Sequence, residues 1–182
     1  MTAARLGLAV LLMLATLPTA RAQAPETAAA APCLIVYGHA RNSGDAAENA
    51  AWDRLNARFN EQVTRRLQAS GQAAESLIFK AGVTDVAEAV AGLIERARQR
   101  GCPRVVDTAV FADGEAQTLV LRLRVHPMLG SAGPRVVPNA AWRIGEPIYS
   151  TQRDLDLSQR SLERVNLAAL AEQMVDGYLA DK

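Results

Sequence analysis

Between Leu119 and His126 apolar and polar side chains alternate: Leu119, Leu121, Leu123 and Val125 fall on one side, Val120, Arg122, Arg124 and His126 on the other. A period of two belongs to a β-strand, and this pattern predicts one face in a core and one toward water. The run Val105 to Phe111 supplies a partner strand, and Asp113-Gly114 between them predicts a turn. Arg104 to Pro127 therefore reads as a hairpin. Its apolar face needs helices to cover it.

Upstream the period changes. Trp52, Leu55, Phe59, Val63 and Leu67 recur at three- and four-residue spacing, which predicts a helix from about Ala46 to Ala69, stopped by Ser70-Gly71. A second stripe, Val86, Val90, Leu93 and Ala97, follows Thr84 or Asp85 as the cap, with Glu88 three residues beyond Asp85. Arg96, Arg98 and Arg100 crowd the end of that helix, where cations favour its dipole, and Gly101 terminates it. Short apolar runs at Cys33–Tyr37 and Ser76–Phe79 read as strands. Trp142–Gln152 reads as another, broken by Gly145-Glu146-Pro147. Leu129–Pro138, rich in glycine and proline, reads as a mobile loop. Leu162–Leu179 closes the chain as an amphipathic helix with Leu167, Leu170, Ala171, Met174 and Tyr178 on one face. The expected architecture is an α/β (α+β) domain: a single mixed sheet with about three helices, in the order β-α-β-α-β-β-β-α.

The first residues have the three parts of an export signal. Arg5 is the positive start, Leu6–Leu17 the apolar run, and Ala20-Arg21-Ala22 the cleavage site, so residues 1–22 are expected to be removed before Gln23. The alternative, an uncleaved anchor, requires about 20 apolar residues, more than this run contains. Residues 23–32 are an Ala/Pro-rich flexible leader, and 33–182 form the domain. Cys33 lies too far beyond the apolar run to be a lipidation site. The predicted location is the periplasm, or the exterior as the alternative. Thiols oxidise in either place. Cys33 opens the first strand and Cys102 precedes a later one. If those strands are parallel, both cysteines lie at one sheet edge, within reach of a disulfide.

Charge narrows the function. The chain has 20 Lys and Arg against 19 Asp and Glu. The signal removes Arg5 and Arg21, leaving 18 against 19 and a net charge of −1. No basic surface for nucleic acid is expected. Positive charge is nearly all arginine, which fits either carboxylate and phosphate recognition or, as the plainer reading, a GC-rich genome.

Phosphate loops, the G-x-G-x-x-G pattern and the nucleophile elbow are absent from the sequence. Two histidines, His39 and His126, are too few for a three-histidine zinc site, and no EF-hand pattern occurs. No cofactor or metal site is therefore expected. Ser43 and Ser131 lie in loops without a partner that would mark a nucleophile. Two constellations remain. His39, Arg41, Asn42, Ser43 and Asp45 stand between a strand end and a helix start, where α/β folds often hold anions. The plainer reading is a polar loop with Ser43 or Asp45 as the helix cap. Arg122, Arg124 and His126, joined by Arg143 on a neighbouring strand, form the second. It reads either as a surface for an anionic partner or as a solvated sheet face.

The element order resembles that of bacterial envelope α/β domains of the TolB amino-terminal, CsgG and LpoB types. Ala87–Phe111, with Gln-Arg-Gly-Cys-Pro followed by Val-Val-Asp-Thr-Ala-Val, and the closing Leu-Ala-Glu-Gln-Met-Val-Asp-Gly-Tyr-Leu carry the likeness. The resemblance implies a non-catalytic module that binds an envelope protein or an anionic envelope component, with peripheral membrane contact allowed. It supplies no residue role and no oligomeric state. A small exported hydrolase using the His39–Asp45 loop is the first alternative, and a self-assembling structural protein the second.

Overall fold

The structure is a computed structural model that describes residues 33–40, 45–80, 85–115, 117–130, 142–156 and 165–181. The elements run β1 (Cys33–Ala40), α1 (Ala46–Ala69), β2 (Ala73–Phe79), α2 (Val86–Arg100), β3 (Arg104–Asp113), β4 (Thr118–Leu129), β5 (Arg143–Ile144), β6 (Tyr149–Asp156) and α3 (Leu167–Ala180). They form one mixed sheet of six strands with three helices, as the patterning predicts. The segment expected as one broken strand is divided into β5 and β6. The export signal, the leader, Arg41, Ser43 and Ser131 lie outside the described residues.

The order across the sheet is β2-β1-β3-β4, with both β5 and β6 pairing the far side of β4. β1 runs parallel to β2 and to β3, while β3–β4 and β4–β6 are antiparallel. The chain leaves β1 for one neighbour and reaches the other through α2. This makes β1/β3 the point at which the strand order reverses, and the carboxyl ends there are where open α/β sheets bind ligands.

One face carries the large core. Leu34, Val36, Val106, Val110, Leu119, Leu121, Leu123 and Val125 of the sheet meet Phe59, Val63 and Leu67 of α1 and Leu167, Ala171, Met174 and Tyr178 of α3. Asn60 anchors α1 to this face from the inside. Its Nδ2 donates to the Val36 carbonyl at 3.1 Å and to Thr108 Oγ1 at 2.9 Å, and its Oδ1 accepts from Ser76 Oγ. Gly38 permits that approach, because a Cβ there would meet Asn60 Nδ2 at 3.0 Å. Arg66 pairs with Asp176 between the two helices, and Arg104 Nη1 donates to Tyr178 Oη at 3.0 Å.

The other face has a smaller core of Ile35, Leu93, Ala97, Cys102, Val105 and Met128. Helix α2 begins as predicted, with Asp85 accepting from the Glu88 backbone N–H at 3.0 Å, and ends at Gly101 with φ of 65°. The Cys33–Cys102 disulfide joins the starts of β1 and β3 across 69 residues of chain, with Cα atoms 4.5 Å apart. Closing a loop of that length stabilises by about 4 kcal/mol in the chain-entropy account.

Two expectations need correction. Val86 and Val90 are exposed, and α2 packs through Ala89, Leu93 and Ala97 instead. Ala89 and Ala97, two turns apart, let the helix lie close to the sheet, and this leaves the two valines on the outside. The β3–β4 connection falls where Asp113-Gly114 predicts it, with Asp113 opposite Thr118 and Gln117 at a positive φ of 52°. The face of β4 expected to be wet is half-covered. Val120 and His126 are 4% and 8% exposed, because β3, β6 and the β5 segment close around them.

Candidate functional site

On the α2 side of the sheet, among the described residues, α2 packs on the amino-terminal half of the parallel strands. Toward their carboxyl ends the face is lined by Tyr37 and His39 of β1, Asp107, Ala109 and Phe111 of β3, and Arg122 and Arg124 of β4. Alternation places these residues on one side, and register brings them level. Tyr37 is opposite Asp107, His39 opposite Ala109, Asp107 opposite Arg124 and Ala109 opposite Arg122.

Asp107 is the centre of this group and is 1% exposed. Arg124 Nε donates to its Oδ2 at 2.8 Å, and Nη2 donates to the same oxygen. His39 Nε2 stands 3.1 Å from Oδ1, an ion-pair distance, although no donor is aligned on that oxygen as a hydrogen bond. Burial pushes the Asp107 carboxyl up, and His39 and Arg124 outweigh it, holding the group below its ordinary range. Tyr37 beside it is shifted upward, by burial first and by the Asp107 charge second, so its phenol stays protonated. Its ring stacks on His39 at 6.3 Å between centroids and meets Phe79 of β2 at 6.2 Å.

Arg122 differs from Arg124. Its guanidinium carbon lies 5.5 Å from the Phe111 ring centroid, a cation–π contact. Among the described residues no carboxylate pairs with it, and its buried Nε has no acceptor. Arg122, Phe111, Ala109 and His39 together line a cavity of about 280 Å³ open to solvent. Other arginines are committed elsewhere. Arg96 and Arg100 both pair with Glu75 of β2, Arg98 with Glu95, and Arg65 with Glu61.

The residues predicted as two constellations are therefore redistributed. His39, Arg122 and Arg124 come together. His126 does not join them: it is buried, and its Nδ1 meets the Gly145 carbonyl at 2.9 Å. Arg143 is opposite Leu129, on the alternate side of the ladder from Arg122 and Arg124. Asp45 immediately precedes α1 and its carbonyl accepts from Asn49 N at 2.9 Å. Asp107 and Phe111 were missed. A lone carboxylate inside the apolar run Val105–Phe111 was the available signal, since buried charge is rare unless paired.

His39 beside a buried carboxylate has the form of a base held by an orienting group. Among the described residues no group of three His, Cys, Asp or Glu side chains is placed to hold a metal, and no helix is long and apolar enough to cross a membrane.

No protein-family model matches the chain, and no curated protein is significantly similar to it. Among solved structures it is similar to lipoprotein GNA1162 from Neisseria meningitidis, at 17% identity over 82% of this chain and 97% of that one, with a TM-score of 0.42. A PelC dodecamer from Paraburkholderia phytofirmans matches at 17% identity over 83% and 88%, with a TM-score of 0.35. The LpoB C-terminal domain from Salmonella enterica matches at 17% identity over 72% and 87%, with a TM-score of 0.31. The LpoB type read from the sequence is thus among the structural neighbours, while CsgG and TolB are not among these three. With TM-scores below 0.5 the likenesses carry no residue role and no activity.

Proposed function

We propose that the chain is a non-catalytic binding module of the bacterial periplasm, and that it meets an envelope partner through the open half of the α2-side sheet face. One observation carries the reading: among the described residues, Arg122 presents a guanidinium without a carboxylate beside the paired Asp107 and Arg124. A surface that keeps one cation uncompensated at the strand ends favours an anionic partner. The Cys33–Cys102 disulfide supports an oxidising location.

Capture from intact envelopes with the mature domain tests this. Wild type and Arg65→Glu, a charge reversal on the exposed surface of α1, should retain the same partner, and Arg122→Glu should lose it. Equal retention by all three would refute the reading. Arg124 is unsuited to the test, because reversing it would unpair Asp107. The amino terminus of the purified protein should read Gln-Ala-Pro-Glu, from cleavage before Gln23, and an intact Met1 would overturn the export assignment.

A second reading, an exported hydrolase, draws on the His39–Asp107 pair. It requires that His39→Ala abolish a turnover shown by the purified protein. Undiminished turnover in that variant would dismiss it.

A further inference from the structure

We infer that the cavity between His39 and Arg122 is a site for a single carboxylate carried on an apolar group. This deepens the binding-module reading by naming the chemistry its face takes. Three features of the cavity lead there.

The first is charge. Arg124 and Asp107 compensate each other, so among the described residues the free guanidinium at the cavity wall is that of Arg122. One uncompensated guanidinium matches a monoanion. A phosphate dianion would call for further cationic donors, and among the described lining residues only His39 stands beside Arg122, with its Nε2 already facing Asp107.

The second is shape. The Arg122 guanidinium carbon stands 5.5 Å from the Phe111 ring centroid, so the fork lies against an aromatic ring rather than a carboxylate. A planar fork of that kind is complementary to a planar carboxylate, and Arg122 Nε is already buried without an acceptor.

The third is the lining. Ala109 and Phe111 give the cavity an apolar floor beside the cation, and its volume of about 280 Å³ accepts a ring-sized substituent. A carboxylate next to an aromatic or branched side chain, as at the carboxyl terminus of a peptide, fits both halves.

The test uses the mature protein labelled for NMR of arginine Nε–Hε groups. Benzoate is the probe monocarboxylate, benzamide its uncharged isostere and inorganic phosphate the competing anion. A peptide ending in phenylalanine, with a free or an amidated terminus, distinguishes a peptide source from a small free acid. Benzoate and the free-terminus peptide should shift the Arg122 Nε–Hε signal in a saturable way and leave that of Arg124 in place. Benzamide, phosphate and the amidated peptide should each bind at least tenfold more weakly. Tighter binding of the peptide than of benzoate assigns the source to a peptide, and equal binding to a small acid.

Arg122→Gln should lose the binding while keeping a dispersed spectrum. Arg122→Lys, which keeps charge but not the fork, should fall between. No shift with any carboxylate, equal binding of phosphate or benzamide, or unchanged binding by Arg122→Gln would overturn the inference. Failure here with a partner still captured removes the carboxylate assignment alone. Benzoate binding with nothing captured removes the envelope-partner reading alone.

Discussion

The two faces of the sheet solve the same burial problem to different degrees. The α1/α3 face is filled by large aliphatic and aromatic side chains; of the buried amides of α1, Asn60 has partners for both ends, while Asn56 one turn earlier has none among the described residues. The α2 face is filled only at the amino-terminal ends of β1 and β3, where the disulfide and Leu93 sit. Beyond that, charged and aromatic side chains take over. The first face holds the fold together, and the open half of the second keeps polar groups oriented without burying all of them. In that half Asp107 is paired with His39 and Arg124, whereas Arg122 has no carboxylate among the described residues and is where we place the proposed partner.

Substitutions can break this division. Phe59→Ala, in the centre of the filled face, should cost about 3–5 kcal/mol in a denaturant titration. If the α1 face were no better packed than the other, the loss would fall well short of that. Cys33→Ser with Cys102→Ser should cost about 2–4 kcal/mol, because the released loop spans 69 residues. Reductant should reproduce that loss in wild type and have no effect on the double variant.

Asp107→Asn should cost about 1–3 kcal/mol by leaving Arg124 without its carboxylate. The sign with pH follows from the lowered Asp107 pKa. Its contribution is complete above the unfolded carboxyl value of about 4 and is lost as pH falls through the lower folded value. The variant should therefore show a flatter loss of stability below about pH 4 than wild type. An acid limb identical to wild type would mean that the cluster does not hold the carboxylate as described. Arg122→Gln should change stability by less than about 1 kcal/mol, since only a half-exposed cation–π contact is lost. A larger loss would make Arg122 structural and remove the contrast with Arg124.

Most of the fold was legible because its periods are clean. Helix α1 has the predicted ends at Ala46 and Ala69, and Asp85 and Gly101 cap α2 as their chemistry suggests. The parallel relation of β1 and β3 follows from the two helical crossovers between them, through β2, and brings the cysteines together. The candidate site was only partly legible, for a reason of register. A two-residue turn at Asp113-Gly114 would set Asp107 opposite Val120, whereas the longer connection sets it opposite Arg124. The salt bridge at the centre of the site depends on those few loop residues, and composition does not reveal them. The exposed valines of α2 were misjudged for a related reason. Valine and alanine both mark an apolar stripe, but the close approach of the helix to the sheet selects the smaller residue.

In-cell photo-crosslinking from Gln152 tests the central claim most directly. Gln152 is exposed on β6 and is opposite Arg122 in the ladder. A photo-reactive residue placed there should give a discrete adduct with another envelope component, and one placed at Arg65 on α1 should give none. An adduct from position 65 alone, or from neither position, would contradict the assignment of the open α2-side face as the binding surface.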